Sequence, residues 1–207
     1  MKFDISKYVR SHLLLLSPYQ SARQEYEGNE QAMILLDANE NPYNSEVNRY
    51  PDPMQKELKT RISQWKGVDE NQLYLSNGSD EFISQIIMAC CEPAQDEIVI
   101  LPPTFGMYKV AAKLHGVGIR EVPLTTSFEL DVSAILESVT KTSKIIFVPT
   151  PNNPTANSFD LNALETLIQK FSGIVVVDEA YVEFSSNPST ISWIKKYPNL
   201  IVCQTFS

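Results

Sequence analysis

From Gln72 onward, short apolar runs alternate with amphipathic segments, and no other feature of the chain restricts its fold as tightly. A run that is aliphatic along its whole length must be covered on both faces. That demand is met by a largely parallel sheet whose strands are joined by crossover helices. The runs place strands at 72–75, 97–101, 119–122, 144–148, 174–177 and 200–204. Helices are expected at 80–91, where Phe82, Ile83, Ile86, Ile87 and Ala89 recur at helical spacing, and from Asp131, a residue suited to an N-cap, to about 139. Two more are expected at 161–171 and 190–197. The fold class is therefore α/β, with a mostly parallel central sheet.

Residues 1–50 read differently. Pro18 and Pro42, with Pro51 and Pro53 just beyond and many Asn and Tyr, argue for an extended N-terminal arm after one short helix. Such an arm is expected to lie on the body of the domain or on a partner subunit. The large domain then runs over 51–207. It is expected to be incomplete at its C-terminal end, because the chain stops three residues after a buried-looking strand.

Charge and residue usage remove several function classes. Seventeen basic against twenty-five acidic residues leave a net charge of -8, with no Lys/Arg cluster that could follow a phosphate backbone, so no nucleic-acid partner is expected. The apolar stretch Leu13 to Leu16 is only four residues long, so neither a membrane span nor a signal peptide is expected, and the cytoplasm is the expected location. Three cysteines, Cys90, Cys91 and Cys203, read as reduced, partly buried thiols, and two histidines without neighbouring ligands argue against a metal site.

In an open parallel sheet, ligands bind at the carboxyl ends of the strands, so the loops there are the informative ones. Ser76-Asn77-Gly78-Ser79-Asp80-Glu81 is either a phosphate cradle at a helix N-terminus or an ordinary N-cap. Pro102-Pro103-Thr104-Phe105-Gly106-Met107-Tyr108 is a stiffened loop whose Phe105 faces the crevice or joins the core. Pro149-Thr150-Pro151-Asn152-Asn153-Pro154-Thr155 is rigid and rich in amides, as a site requires. Asp178 follows Val175-Val176-Val177, and a carboxylate there is costly to bury without a cationic or metal partner, so it implies a bound group. An ATPase strand also ends this way, but none of the seven glycines begins the accompanying phosphate loop. The Gly116-x-Gly118 pair precedes a strand instead of following one, and no Gly-x-Ser-x-Gly elbow is present.

Asn152-Asn153-Pro154-Thr155, Asp178-Glu179-Ala180-Tyr181 and Thr205-Phe206-Ser207 together resemble the fold-type I pyridoxal-phosphate aminotransferases. Within them, Pro18-Tyr19, Asp37-Ala38-Asn39-Glu40-Asn41-Pro42-Tyr43, Arg49-Tyr50-Pro51-Asp52-Pro53, Asn77-Gly78-Ser79-Asp80-Glu81 and the Phe105 loop resemble the histidinol-phosphate aminotransferases. The resemblance covers nearly the whole chain and about the first 60% of a typical family member. It implies an enzyme of histidine biosynthesis that uses pyridoxal 5'-phosphate and moves an amino group between L-histidinol phosphate and 2-oxoglutarate as a homodimer. Among relatives on the same fold, an aromatic aminotransferase or a threonine-phosphate decarboxylase is the alternative, and a non-catalytic truncated binding protein is another.

By the same resemblance, Asp178 pairs with the pyridinium nitrogen, which keeps the ring able to draw off electrons. Asn153 and Tyr181 bond the phenolic oxygen, and Phe105 stacks on the ring. Gly78, Ser79 and the backbone of Asp80 receive the phosphate with Thr205, Ser207 and, from a neighbouring subunit, Tyr50. Tyr19 and Asn39 are substrate-side candidates. A catalytic lysine is expected immediately after Ser207, and the small C-terminal domain beyond it. Phe105 stands where many relatives have tyrosine. Ala156 replaces a usual glycine, which argues against a positive backbone angle there.

Overall fold

The alternation from Gln72 onward becomes, in the computed structural model, five parallel strands and the helices that cross between them. Residues 3–17, 19 and 38–207 are described. They fall into two compact units, one made of Met1–Leu15 with Ser76–Ser207 and the other of Leu16–Leu75.

In the first unit, β1 (Glu97–Ile100), β2 (Gly118–Glu121), β3 (Ser143–Pro149), β4 (Ile174–Asp178) and β5 (Leu200–Cys203) form one sheet in the order β2-β1-β3-β4-β5. All four pairings are parallel. The order reverses direction at β1, whose two neighbours are β2 on one side and β3 on the other. Loops leaving β1 and β3 therefore diverge and open a crevice at the carboxyl edge.

Period-two alternation sorts the core into two layers. Val99, Ile146, Val148, Val175 and Val177 face one side, where Ile135 of α4 (Val132–Ser138) and Leu164, Leu167 and Ile168 of α5 (Leu161–Lys170) cover them. Ile98, Ile100, Ile145, Phe147, Ile174 and Val176 face the other. Ile83 and Ile87 of α2 (Gly78–Cys90) and Tyr108, Ala111 and Ala112 of α3 (Met107–Leu114) cover that side. Both α4 and α5 begin on an aspartate that accepts a third-residue N–H, Asp131 from Ala134 at 2.9 Å and Asp160 from Ala163 at 2.8 Å.

Three expectations need correction. Residues 72–75 form no strand: Gln72 ends a 3₁₀ turn, Glu70–Gln72, and its side-chain oxygen accepts the Asp69 N–H at 3.2 Å. That local cap competes with extension, and Leu73, Tyr74 and Leu75 after it belong to no strand of the sheet. The segment expected as helix at 190–197 is 3₁₀ over Thr190–Lys195, begun by the Ser189 hydroxyl accepting the Ile191 N–H at 3.1 Å. The described start of the arm, residues 3–17, holds two 3₁₀ turns, Ile5–Lys7 and Leu13–Leu15, and no α-helix; residues 20–37 of the arm lie outside the described residues.

Two helices were not marked by the apolar spacing. α3 buries only one large side chain, Tyr108, beside two alanines. In the second unit, α1 (Lys56–Lys66) buries Ile62 alone. Its start is fixed by Asp52, whose carboxylate accepts N–H groups of Met54 and Lys56 at 2.8 and 2.9 Å. It ends on Gly67, whose φ of 68° is open to glycine at no steric cost.

Candidate active site

Asp178 closes β4 at the carboxyl edge of the sheet, level with Pro149 of β3 and Cys203 of β5. Strand alternation puts it on the layer of Val176 and Phe147, facing α2 and α3, and it is only 4% exposed. One carboxylate oxygen, Oδ2, accepts the Tyr108 hydroxyl at 2.6 Å, and the other accepts the Ala180 N–H at 3.1 Å. No cation pairs with it among the described residues. Burial pushes its carboxyl above the ordinary carboxylate range. The bonds from Tyr108 and Ala180 pull it back, while the negative charges of Asp80 and Glu179 push it further up.

A cavity of about 370 Å³ opens beside this acid and is walled by loops from four strands and one helix start. Nine of the residues singled out from the sequence line it: Gly78, Ser79 and Asp80, Phe105, Asn153, Asp178 and Tyr181, and Thr205 with Ser207. Gly78 has a φ of 77° and gives its own N–H to the Ser76 carbonyl at 3.0 Å. Helix geometry leaves the N–H groups of Ser79 and Asp80 without an intrahelical acceptor, and the dipole there favours an anion. Thr205 and Ser207 bring two hydroxyls, 2.7 Å apart, to the same cavity. Tyr19, Asn39 and Tyr50 belong to the other unit, where all three are exposed; the Tyr50 N–H donates to Glu40 at 2.8 Å.

The two asparagines after β3 divide the work. Asn152 is 2% exposed, and its amide donates to the Pro103 carbonyl at 2.9 Å and to the Thr155 hydroxyl at 2.7 Å, which ties the β1 loop to the β3 loop. Asn153 is thereby turned to the cavity. Ala156, against expectation, does hold a positive φ, 62°. Its N–H closes the turn onto the Asn152 carbonyl at 2.7 Å, so the loop keeps its shape and the alanine absorbs the strain. Ala156→Gly is therefore expected to stabilise the protein by about 1 kcal/mol, read as a higher melting temperature with cofactor affinity unchanged; an unchanged or lower melting temperature would refute the strain.

Two buried residues escaped the sequence reading of roles. Tyr108 is fully buried, stacked on Phe147 with ring centres 4.6 Å apart and met edge-on by Phe105 at 5.6 Å. The available signal was chemical: a tyrosine on a helix face otherwise made of alanines needs a partner for its hydroxyl. Glu179, 2% exposed, points away from Asp178 and accepts four hydrogen bonds. The donors are the Ser189 hydroxyl at 2.6 Å, the Thr190 N–H at 2.6 Å, the Thr190 hydroxyl at 2.8 Å and the Gln204 amide at 2.7 Å. It fastens the end of β4 to the end of β5, just ahead of Thr205. Among the described residues no cluster of His, Cys, Asp and Glu could hold a metal ion, and no helix is long and apolar enough to cross a membrane.

Comparison with known proteins agrees with this geometry. Histidinol-phosphate aminotransferases of Christiangramia forsetii and Cytophaga hutchinsonii are each 48% identical to it, over 99% and 100% of this chain. The chain spans 59% and 60% of their lengths. The crystal structure of the histidinol-phosphate aminotransferase from Clostridium acetobutylicum superposes with a TM-score of 0.70 at 23% identity, over 78% of this chain and 48% of that one. That of the Sinorhizobium meliloti enzyme in complex with pyridoxal-5'-phosphate gives 0.69 at 23%, over 77% and 44%. These two likenesses show a common fold. The family model for aminotransferase class I and II matches residues 25–207, nearly the whole chain, with every cavity residue inside it; the chain belongs to that family.

Proposed function

We propose that this chain carries the cofactor-binding part of a histidinol-phosphate aminotransferase, which moves an amino group between L-histidinol phosphate and 2-oxoglutarate in histidine biosynthesis. The observation that carries the reading is the buried carboxylate of Asp178, without a cationic partner among the described residues, sharing one cavity with a helix N-terminus and two hydroxyls. A ligand suited to that cavity has a cationic ring nitrogen at one end and a phosphate at the other, and pyridoxal 5'-phosphate has both. The names of the relatives from C. forsetii and C. hutchinsonii support the choice of substrate.

Pyridoxal phosphate supplies an electron sink when bound. Asp178, itself 4% exposed, would hold the ring nitrogen protonated through a charge-assisted hydrogen bond. Phe105, which lines the cavity, would pack against the ring. Asn153 and Tyr181 orient the phenolic oxygen. The N–H groups of Ser79 and Asp80 with the hydroxyls of Thr205 and Ser207 hold the phosphate, so the ring is anchored at a point distant from the reacting bonds. Tyr50 of a second copy completes the phosphate site in a homodimer, and Tyr19 and Asn39 serve the substrate side. The unpaired, buried thiols of Cys90, Cys91 and Cys203 are in keeping with work in the reducing cytoplasm.

The test is a comparison of specificity constants in the full-length protein. Histidinol phosphate is expected to be preferred over phenylalanine by at least about a hundredfold, because a site built for a phosphate is left unpaired without one. Comparable constants would overturn the substrate and favour an aromatic aminotransferase.

A further inference from the structure

The cofactor reading gives Asp178 a task and leaves the group that touches it, Tyr108, without one. Among the described residues, five groups act on the Asp178 carboxylate through contact or charge. Asp80 comes from the first turn of α2, Glu179 from the same strand end and Cys203 from the adjacent strand β5; none of these is cationic. The Ala180 N–H and the Tyr108 hydroxyl are the two donors. Burial and two acidic neighbours thus oppose ionisation, and only those two donors favour it.

Their geometry is unequal. The Ala180 bond is a main-chain contact two residues along at 3.1 Å, whereas the Tyr108 bond is 2.6 Å and comes from a different element, seventy residues away in sequence. The phenol has no freedom to leave. Its ring is fully buried, lies flat against Phe147 with planes 16° apart, and meets the edge of Phe105. The two donors sit on different carboxylate oxygens, so rotation of the carboxylate would break both bonds. Burial and the neighbouring negative charge also push the Tyr108 phenol well above its ordinary range, which leaves the shared proton on the tyrosine.

We propose that Tyr108 is a positioning residue that keeps Asp178 ionised and its carboxylate turned to the cavity before any ligand arrives. This rests on the reading of Asp178 as the partner of a cationic ring nitrogen. A protonated Asp178 would present a hydrogen where the ring also presents one, and the two would repel. Tyr108 removes that mismatch without bringing a positive charge that would compete with the ligand. It also links the acid to the ring wall, because the phenol that holds Asp178 is the one against which Phe105 packs.

The experiment uses the full-length protein stripped of cofactor, as wild type, Tyr108→Phe, Asp178→Asn and the double variant. Affinity for pyridoxal 5'-phosphate is measured from about pH 8.5 down to about pH 5.5. Losing a hydrogen bond to a buried anion raises the pKa of that acid. The weakening caused by Tyr108→Phe is therefore expected to grow at least about tenfold as the pH falls across that range. In the Asp178→Asn background, Tyr108→Phe is expected to change affinity by no more than about twofold at any pH. A weakening that is the same at every pH, or undiminished in the Asp178→Asn background, would show Tyr108 to be packing alone and overturn the proposal. Wild-type protein that does not bind the cofactor would instead sink the reading on which it rests.

Infrared difference spectra of the ligand-free protein give a readout independent of binding. A protonated-carboxyl band assigned by its loss in Asp178→Asn should be weak in wild type at about pH 7 and strong in Tyr108→Phe. Should Tyr108→Phe not fold, the wild-type spectrum decides: a strong Asp178 acid band at about pH 7 overturns the proposal, and a weak one supports it.

Discussion

Asp178→Asn is expected to lower kcat/KM for transamination by about a thousandfold, roughly 4 kcal/mol, while leaving measurable binding of pyridoxal 5'-phosphate. The substitution keeps the shape but removes the charge and puts an amide donor in place of one accepting oxygen, so only one of the two donors, Tyr108 or Ala180, keeps its acceptor. On the proposed reading, what is lost is the stabilisation of a protonated ring nitrogen at a position where solvent cannot take over, because Asp178 is 4% exposed. Binding is expected to survive because the residues proposed to hold the phosphate, Ser79, Asp80, Thr205 and Ser207, line the cavity on other loops. Steady-state kinetics alongside a cofactor titration separates the two effects, and turnover within tenfold of wild type would remove Asp178 from the mechanism.

Glu179→Ala is expected to cost about 4 kcal/mol of stability and about 10 °C in melting temperature, although Glu179 does not line the cavity. Its four hydrogen bonds come from three residues, Ser189, Thr190 and Gln204, and the Thr190 N–H and hydroxyl are buried with it. Truncation removes the acceptor and leaves those donors inside the protein, which is the costly side of the hydrogen-bond asymmetry. Thermal unfolding of cofactor-free protein is the measurement to make, since bound ligand would add its own stabilisation. A loss below about 1 kcal/mol would mean that water replaces the carboxylate.

The dipeptide Asp178-Glu179 shows how far the sequence could be read. The stop of the aliphatic run Val175-Val176-Val177 marks where the strand ends, and the cost of burying an acid singles out Asp178 as a candidate binding group. Yet two adjacent acids look alike in a sequence. Only the strand period, which sends neighbours to opposite faces, and the later arrival of Ser189, Thr190 and Gln204 distinguish the cavity acid from the one that clasps two strands. The loop motifs were legible because glycine, proline and asparagine act locally. Tyr108 was not, because its partner is seventy residues away and nothing in the spacing of α3 announces it. The 72–75 run failed for the opposite reason: its apolar letters fit a strand, but the cap at Asp69 and Gln72 settles the matter locally. Ala156 shows that a residue rule can yield to a well-bonded turn.

The strand order has a consequence for when the cavity comes into being during synthesis. Asn77 and Ser207 line the same space, and the parallel pairings that bring them together join segments separated by whole crossovers. A growing polypeptide that has emerged from the ribosome as far as β4 possesses Asp178 but not the wall supplied by Thr205 and Ser207. Each parallel pairing must also meet its loop-closure cost before it is rewarded. The vitamin-derived ligand is therefore a late arrival: it cannot template the early collapse of the nascent chain, and its capture reports that the last described strand has docked.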